Sequence, residues 1–383
     1  MMKRGISMHA RMILVGGVTL ACLAGVANAQ TTDQSADIEQ LKSKVAALEA
    51  AQKKDSGSWA DSTKISGRMY FDISNIDHKS DGVSQSDNGT SFDIKRLYIG
   101  IDHKFDDVWS ANVTTDFLYD GTAGATQIYI KKAYLEAKIS PALAIRAGST
   151  DMPWIPFVEG IYGYRQYEQT LIDRTKFGTS ADWGVHAAGK LGPVDYAVAV
   201  VDGAGYKHPF RSKGVDVEAR VSTQVSGFTF ALGGYTGKLG KDVEGGAPDY
   251  HTATRYDALA AYTNKVVRVG VEYFHADDWA NVNTVASDSS DGYSVFGSYT
   301  FAPKWSVLAK YEDVNPKKDT VSNFEEKYYN FGISYAPTKI VDLALMYKHD
   351  NAKNGSLSTG NGTIGGLIKG DYDEIGIFGQ LRY

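Results

Sequence analysis

Cysteine is almost missing: there is one in 383 residues, Cys22, and it lies in the apolar stretch of an N-terminal export segment. Lys3, Arg4 and Arg11 precede the apolar run 12–26, and Ala27-Asn28-Ala29 supplies the small residues of a cleavage site. Residues 1–29 therefore read as a signal peptide. Its removal leaves no thiol, which excludes disulfides and cysteine chemistry even in an oxidising compartment. Proline is scarce as well, 9 against 40 glycines and 24 tyrosines, a balance that suits strands and turns better than packed helices. Beyond residue 29 no run approaches the ~18 consecutive apolar residues of a transmembrane helix. An exported chain of this kind can enter a membrane only as a closed barrel. A formal charge of -5 without a dominant basic block argues against nucleic acid as a partner. The histidines are scattered, with no H-E-x-x-H spacing, so no metal, no cofactor and no enzyme activity are expected.

What the chain does have is alternation. In SFDIKRLYIGIDHKFDDVWSANVTTDFLY (91–119) Leu97, Ile99 and Ile101 alternate with Tyr98, Gly100 and Asp102, break at Phe105-Asp106-Asp107, and resume as Trp109, Ala111, Val113, Thr115 and Phe117. Period two with unlike faces is a strand, and the break is a tight reversal. The pattern recurs to the end of the chain, giving about sixteen strands that start near 65, 92, 109, 128, 142, 183, 194, 214, 228, 253, 266, 292, 305, 327, 340 and 372. Tight turns alternate with long polar connections, among them 74–90, 120–127, 149–182 and 349–371. An even strand number with short turns at one end and long loops at the other is the layout of an outer-membrane barrel. The fold class expected is all-β: a 16-stranded antiparallel transmembrane β-barrel over 63–383.

The charged parity must then face a wet lumen and the apolar parity lipid, because a dry core does not accept unpaired Arg, Glu and Asp. Lumen-lining arginines are Arg68, Arg96, Arg146, Arg220, Arg255, Arg268 and Arg382, expected to pair largely with Asp72, Asp116, Glu136, Asp216, Glu218, Asp257 and Glu272. Strand-end aromatics (Trp109, Phe117, Tyr119, Trp183, Tyr235, Tyr273, Tyr299, Trp305, Tyr347, Tyr383) read as interfacial girdles.

The longest connection, 149–182, is too long for a passive cap. It is expected to fold inward and narrow the lumen, with Glu159, Arg165, Glu168, Asp173, Arg174 and Lys176 setting the field at the constriction. Ahead of the barrel, Ile38, Leu41, Val45 and Leu48 in Asp37–Lys53 follow the a/d seam of a short periplasmic coiled coil, with a linker up to residue 62.

Three stretches resemble the phosphate-selective porin O and P family: KRLYIGIDHKFDDVWSANVTTDF (95–117), IYIKKAYLEAKISPALAIRAGSTDMPWIPF (128–157) and DWGVHAAGKLGPVDYAVAVVDGAG (182–205). The similarity covers roughly 65–383, outside the coiled coil. It implies a homotrimeric diffusion channel whose third long loop forms the constriction; named members select phosphate through a lumen arginine ladder. Here the loop carries five acids (Asp151, Glu159, Glu168, Asp173, Asp182) against three bases (Arg165, Arg174, Lys176).

The sequence thus predicts an outer-membrane porin of a Gram-negative bacterium, passing small hydrophilic solutes and ions, anions such as phosphate among them, by passive diffusion. Two other readings are a structural barrel that tethers the outer membrane to peptidoglycan through the coiled coil, and a substrate-specific porin for sugars or aromatic acids.

Overall fold

The computed structural model describes residues 39–47, 59–120 and 124–383. The signal peptide and much of Asp37–Lys53 lie outside them. Residues 39–47 are helical, with Leu41 and Val45 exposed. Residues from Trp59 onward form a separate compact unit.

That unit is a barrel. Its strands are β1 (Thr63–Ser80), β2 (Val83–Ser84), β3 (Gly89–Lys104), β4 (Trp109–Asp120), β5 (Ala125–Ser140), β6 (Leu143–Asp151), β7 (Ala181–Leu191), β8 (Val194–Val201), β9 (Asp216–Val225), β10 (Phe228–Gly237), β11 (Ala253–Thr263), β12 (Val267–Asp277), β13 (Ser289–Ala302), β14 (Trp305–Asn315), β15 (Glu325–Tyr335), β16 (Val341–Lys353), β17 (Ser356–Thr359), β18 (Gly362–Gly365) and β19 (Lys369–Arg382). β17 and β18 make a separate hairpin, and β2 is a two-residue appendage of β1. The other sixteen run antiparallel around the wall, and β1 pairs with β19 to close it. At the seam Gly67 and Tyr383 exchange backbone hydrogen bonds, and the Tyr383 ring occupies the space a Cβ at Gly67 would need.

The faces sort as alternation requires. On β12 Val269, Val271 and Tyr273 are exposed on the outside, while Glu272 and Phe274 are buried inside. On β14 Trp305, Val307 and Tyr311 point out, and Lys310 and Glu312 point in. Tyr235 does not belong to the outer girdle: it is buried, and its hydroxyl donates to Asp216 on the inner face. Its parity is that of Gly233 and Ala231, whose small size hid it in the sequence. The connection read as a long loop at 120–127 is also short, because β4 and β5 run on to Asp120 and Ala125.

Register shifts at Lys138–Ser140 and Thr300–Ala302 lie beside short turns; two further bulges, within the strands, break the period. β1–β3 pairing shifts between Tyr70 and Phe71, passing over Lys95, and β4–β5 pairing shifts between Thr114 and Thr115, passing over Lys131. A bulge sets two consecutive residues of one strand against one of its neighbour. Lys95 and Arg96 therefore both lie on the inner side, as do Lys131 and Lys132, while Ile94, Ile130 and Leu135 stay exposed outside.

Candidate functional site

The loop between β6 and β7, residues 152–180, packs against the inner wall. Two short helices stiffen it, α1 (Ile155–Tyr162) and α2 (Leu171–Arg174). Pro156 sits in the first turn of α1, where its missing N–H costs nothing. Gly163 ends the helix at φ 78, a left-handed conformation natural to glycine, and a Cβ there would collide with the Arg268 guanidinium. Ile155, Val158 and Tyr162 bury the apolar side of α1 against Ala231, Leu259, Phe274 and Phe296 of the wall.

Polar anchors fix both ends of this loop. At the start, the Trp154 backbone N–H donates to Glu218 Oε1 and its indole to Glu272 Oε1, each over 2.8 Å. The Trp154 ring lies where a Cβ at Gly233 would be, 2.5 Å from Cε3. At the far end Arg174 has no exposed surface. It reaches Glu312 on β14 and, from Nη1, both Glu326 on β15 and Asp350 on β16 at 2.8 Å, with its guanidinium 4.2 Å above the Tyr328 ring. Arg255 on β11 completes the clamp by donating to the Phe177 carbonyl while pairing with Glu218 and Asp257. Arg220 donates to the Pro153 carbonyl and stacks on Phe157.

The six charged loop residues named from sequence therefore separate. Glu159, Arg165 and Asp173 form a chain across the free stretch of the loop, Arg165 lying 2.7 Å from Glu159 and 3.2 Å from Asp173. Glu168 is buried, accepting from the Tyr328 hydroxyl and lying 3.5 Å from Lys348. Burial alone would raise its pKa, but Lys348, Lys310 and Arg174 together hold it down at about 2. Arg174 is an anchor closed off from pore water. Lys176 is exposed and donates to Ser358 of the β17–β18 hairpin, whose Gly360 N–H in turn donates to the Arg174 carbonyl.

Facing the free stretch is a cavity of about 780 Å³. Six basic residues line it (Arg68, Lys131, Lys132, Arg165, Arg268, Arg382) against three acids (Asp102, Asp151, Glu159), so the local field is positive. Pairing sharpens the imbalance. Asp151 is taken by Lys132 at 2.5 Å and Glu159 by Arg165, whereas Arg68, Lys131 and Arg268 have no ion-pair partner among the described residues. Arg68 opposes Arg382 directly across the seam, a like-charge pair that costs stability and is relieved on one side by the Arg382–Asp342 ion pair. Lys131 lies over the Tyr98 ring at 4.9 Å, with Tyr206 at 5.8 Å.

Of the other arginines named from sequence, Arg96 pairs with Asp116 at 3.3 Å and Arg146 with Glu136 at 2.6 Å, as lateral pairing predicted. The expectation fails for Arg68, Arg220 and Arg268, and Asp72 pairs with Lys95 instead. Sequence reasoning missed Lys131, Lys132 and Lys207. The first two were legible as adjacent lysines interrupting an otherwise strict alternation. Lys207 was not, because the 202–215 connection folds inward: Tyr206 donates its hydroxyl to Asp116 over 2.6 Å, and Lys207 sits 4.8 Å from the Tyr129 ring.

A closed sixteen-stranded wall with an outward apolar face, a charged lumen and a loop held inside defines an outer-membrane channel of the porin class. The profile of the Gram-negative porin family matches residues 17–355, and the chain belongs to that family. No curated protein matches its sequence. Solved structures share the fold. An anion-selective porin from Comamonas acidovorans (11% identity, TM-score 0.62) covers 84% of this chain and 99% of its own. The trimer form of OmpT, an outer membrane protein of Vibrio cholerae, is similar over the same shares (13%, 0.60). The outer membrane channel DcaP of Acinetobacter baumannii (13%, 0.59) covers 84% and 97%. At these identities the likeness is one of fold.

Proposed function

We propose that this porin is a passive diffusion channel for small hydrophilic solutes that prefers anions, with the 152–180 loop narrowing the passage and the chain working as a homotrimer. The observation that carries the anion preference is the set of cations left without carboxylate partners around the cavity: Arg68, Lys131 and Arg268. An anion passing the free stretch of the loop exchanges part of its hydration for these groups, while a cation meets Asp151 and Glu159 already neutralised by Lys132 and Arg165, leaving Asp102, which accepts from Asn112, as the one lining carboxylate outside an ion pair among the described residues. Rings of charged side chains select permeant ions in this way. The selectivity residues are then Arg68, Lys131, Arg165 and Arg268, with Glu159 and Asp173 orienting Arg165; Glu168 and Arg174 act by holding the loop. Phosphate is one anion this field would favour, and nothing in the cavity singles it out from others.

Reversal potential in a salt gradient across a planar bilayer tests the reading. The wild-type protein is expected to favour chloride over potassium, and the triple variant R68Q/K131Q/R268Q to move the reversal potential toward cations. A wild-type channel selective for cations would overturn it.

A further inference from the structure

Four cations of the passage are set on tyrosines where a carboxylate would be expected. The Lys131 ammonium lies 4.9 Å from the Tyr98 ring and 5.8 Å from Tyr206. Lys207 lies 4.8 Å from Tyr129 and 5.8 Å from the same Tyr206 ring. Arg68 donates from Nη1 to the Tyr70 hydroxyl over 3.2 Å, and the Arg268 guanidinium lies 5.8 Å from the Tyr164 ring. None of the four has a carboxylate at ion-pair distance among the described residues. Tyr70 and Tyr98 meet edge to face with centroids 5.9 Å apart. One row of rings and cations therefore runs from Tyr129 through Lys207, Tyr206, Lys131 and Tyr98 to Tyr70 and Arg68.

On the wall that carries the inward loop, rings beside cations accompany ion pairs. Lys310 lies 4.9 Å from the Tyr328 ring but also 2.8 Å from Glu312, and Lys348 lies 4.1 Å from Phe378 but also 3.0 Å from Glu374. There the carboxylate neutralises and the ring only packs. For Lys131 and Lys207 the rings are the support. A ring face holds a cation through its quadrupole without cancelling the charge. The row is also held in place. The Tyr206 hydroxyl donates to Asp116, its N–H donates to the Ala181 carbonyl, and its own carbonyl accepts from the Trp183 indole over 3.1 Å. Lys131, Tyr98, Tyr70 and Arg68 line the cavity that faces the free stretch of the loop, and Tyr98 and Tyr129 keep part of their surface open.

We propose that this row binds aromatic carboxylates and makes them preferred solutes of the channel. It names the solute class behind the anion preference and rests on that reading. Chloride or acetate uses an ammonium and leaves the rings unused. An aryl carboxylate uses both, because it carries its charge and its π face on one rigid plane. Its carboxylate pairs with Lys131 or Lys207 while its ring packs, offset or edge-on, against Tyr98 or Tyr129. The lysine-to-ring contact that gives way is a weak one, and the ammonium stays charged throughout. The next ring and cation lie within reach, so the solute passes from Lys207 to Lys131 and on to Arg68. Several weak sites in sequence, instead of one strong one, are what conduction requires.

The test titrates benzoate, cyclohexanecarboxylate or acetate against the chloride current of single channels in a planar bilayer. All three carry the same charge, and the first two differ in having or lacking a π face. Benzoate should halve the current at a concentration about twofold to tenfold below that of cyclohexanecarboxylate, the worth of one aromatic pair. Y98L/Y129L keeps every cation and should erase that difference, whereas Y98F/Y129F keeps both rings and should retain it. The chloride current itself shows that each variant has inserted as an open barrel, and the wild-type comparison decides by itself where a variant does not insert. A chloride-selective wild type that treats benzoate and cyclohexanecarboxylate alike would overturn the proposal and leave the anion preference standing. So would a Y98L/Y129L channel that still tells the two apart. A cation-selective wild type would remove both readings.

Discussion

Arg174 Nη1 lies 2.8 Å from Asp350 Oδ2 and 2.8 Å from Glu326 Oε1, and none of the three side chains exposes any surface. One guanidinium thus ties the inward loop to neighbouring strands. Its substitution is a test of loop anchoring and not of pore charge. R174Q leaves three buried carboxylates around a neutral group, and breaking a buried ion pair costs roughly 3–5 kcal/mol. The expected outcome is a barrel that still inserts but has greatly increased open-channel current noise, read from single-channel recordings. R174K restores the charge without the planar fork and should fall between the two.

Gly233 makes a second anchor checkable. A methyl group there meets the Trp154 ring at 2.5 Å, and overpacking of this kind costs about 1–3 kcal/mol. G233A should lower the urea midpoint of the refolded protein without changing the sign of selectivity. W154F keeps most of the ring but leaves Glu272 without its indole donor, at a cost of about 1–3 kcal/mol. The two changes meet at one contact, so the double variant should lose less than the sum of the singles.

Selectivity should depend on mildly alkaline pH. Burial, with Arg96 close by, lowers the Lys207 ammonium to about 8. Below that value it is charged and adds to the positive wall; above it the charge is lost. Anion preference should therefore decline between pH 7 and pH 9, and K207Q should flatten the decline while lowering the preference at pH 7. Reversal potentials at stepped pH read both effects.

The bulge at Lys131 yields a less intuitive expectation. Deleting a strand residue ordinarily flips every later side chain to the wrong face. Deleting Lys131 should not, because it removes the unpaired residue and joins Ile130 outside to Lys132 inside in plain alternation. The deletion variant is expected to fold, to show the heat-shifted gel mobility of an intact barrel, and to be less anion-preferring. Deleting Ala133, two positions on, should prevent folding.

Much of the wall was legible because a two-faced strand writes its faces directly into the sequence. Starts read near 109, 194, 228, 253 and 305 coincide with β4, β8, β10, β11 and β14. The misreadings have local causes. Alternation predicts one residue inward, then one outward; a bulge suspends that rule for a single step, so Lys95 and Lys131 escaped notice, although Arg96 beside the first bulge was placed correctly. Tyr235 was misplaced because an aromatic near a strand end looks the same from either side when the two residues before it, Gly233 and Gly234, carry no side chain to mark a face. The position of the inward loop followed from its length, but the roles of its charges did not. Glu168 and Arg174 are as polar as Glu159 and Arg165, and only their partners on β14, β15 and β16, distant in sequence, decide which are buried: Lys348 and Tyr328 for Glu168, and Glu312, Glu326 and Asp350 for Arg174. Pairing partners between strands far apart along the chain are a property of the closed cylinder, invisible to a one-dimensional pattern.

The seam between β1 and β19 carries a consequence for biogenesis. The earliest strand of the wall waits for the latest, so through the whole of synthesis and export the polypeptide holds an unsealed edge ready to pair with any stray ribbon. Escort by a holding factor until Tyr383 reaches Gly67 is thus a demand of the topology, and a polypeptide shortened by its final strand would remain permanently adhesive.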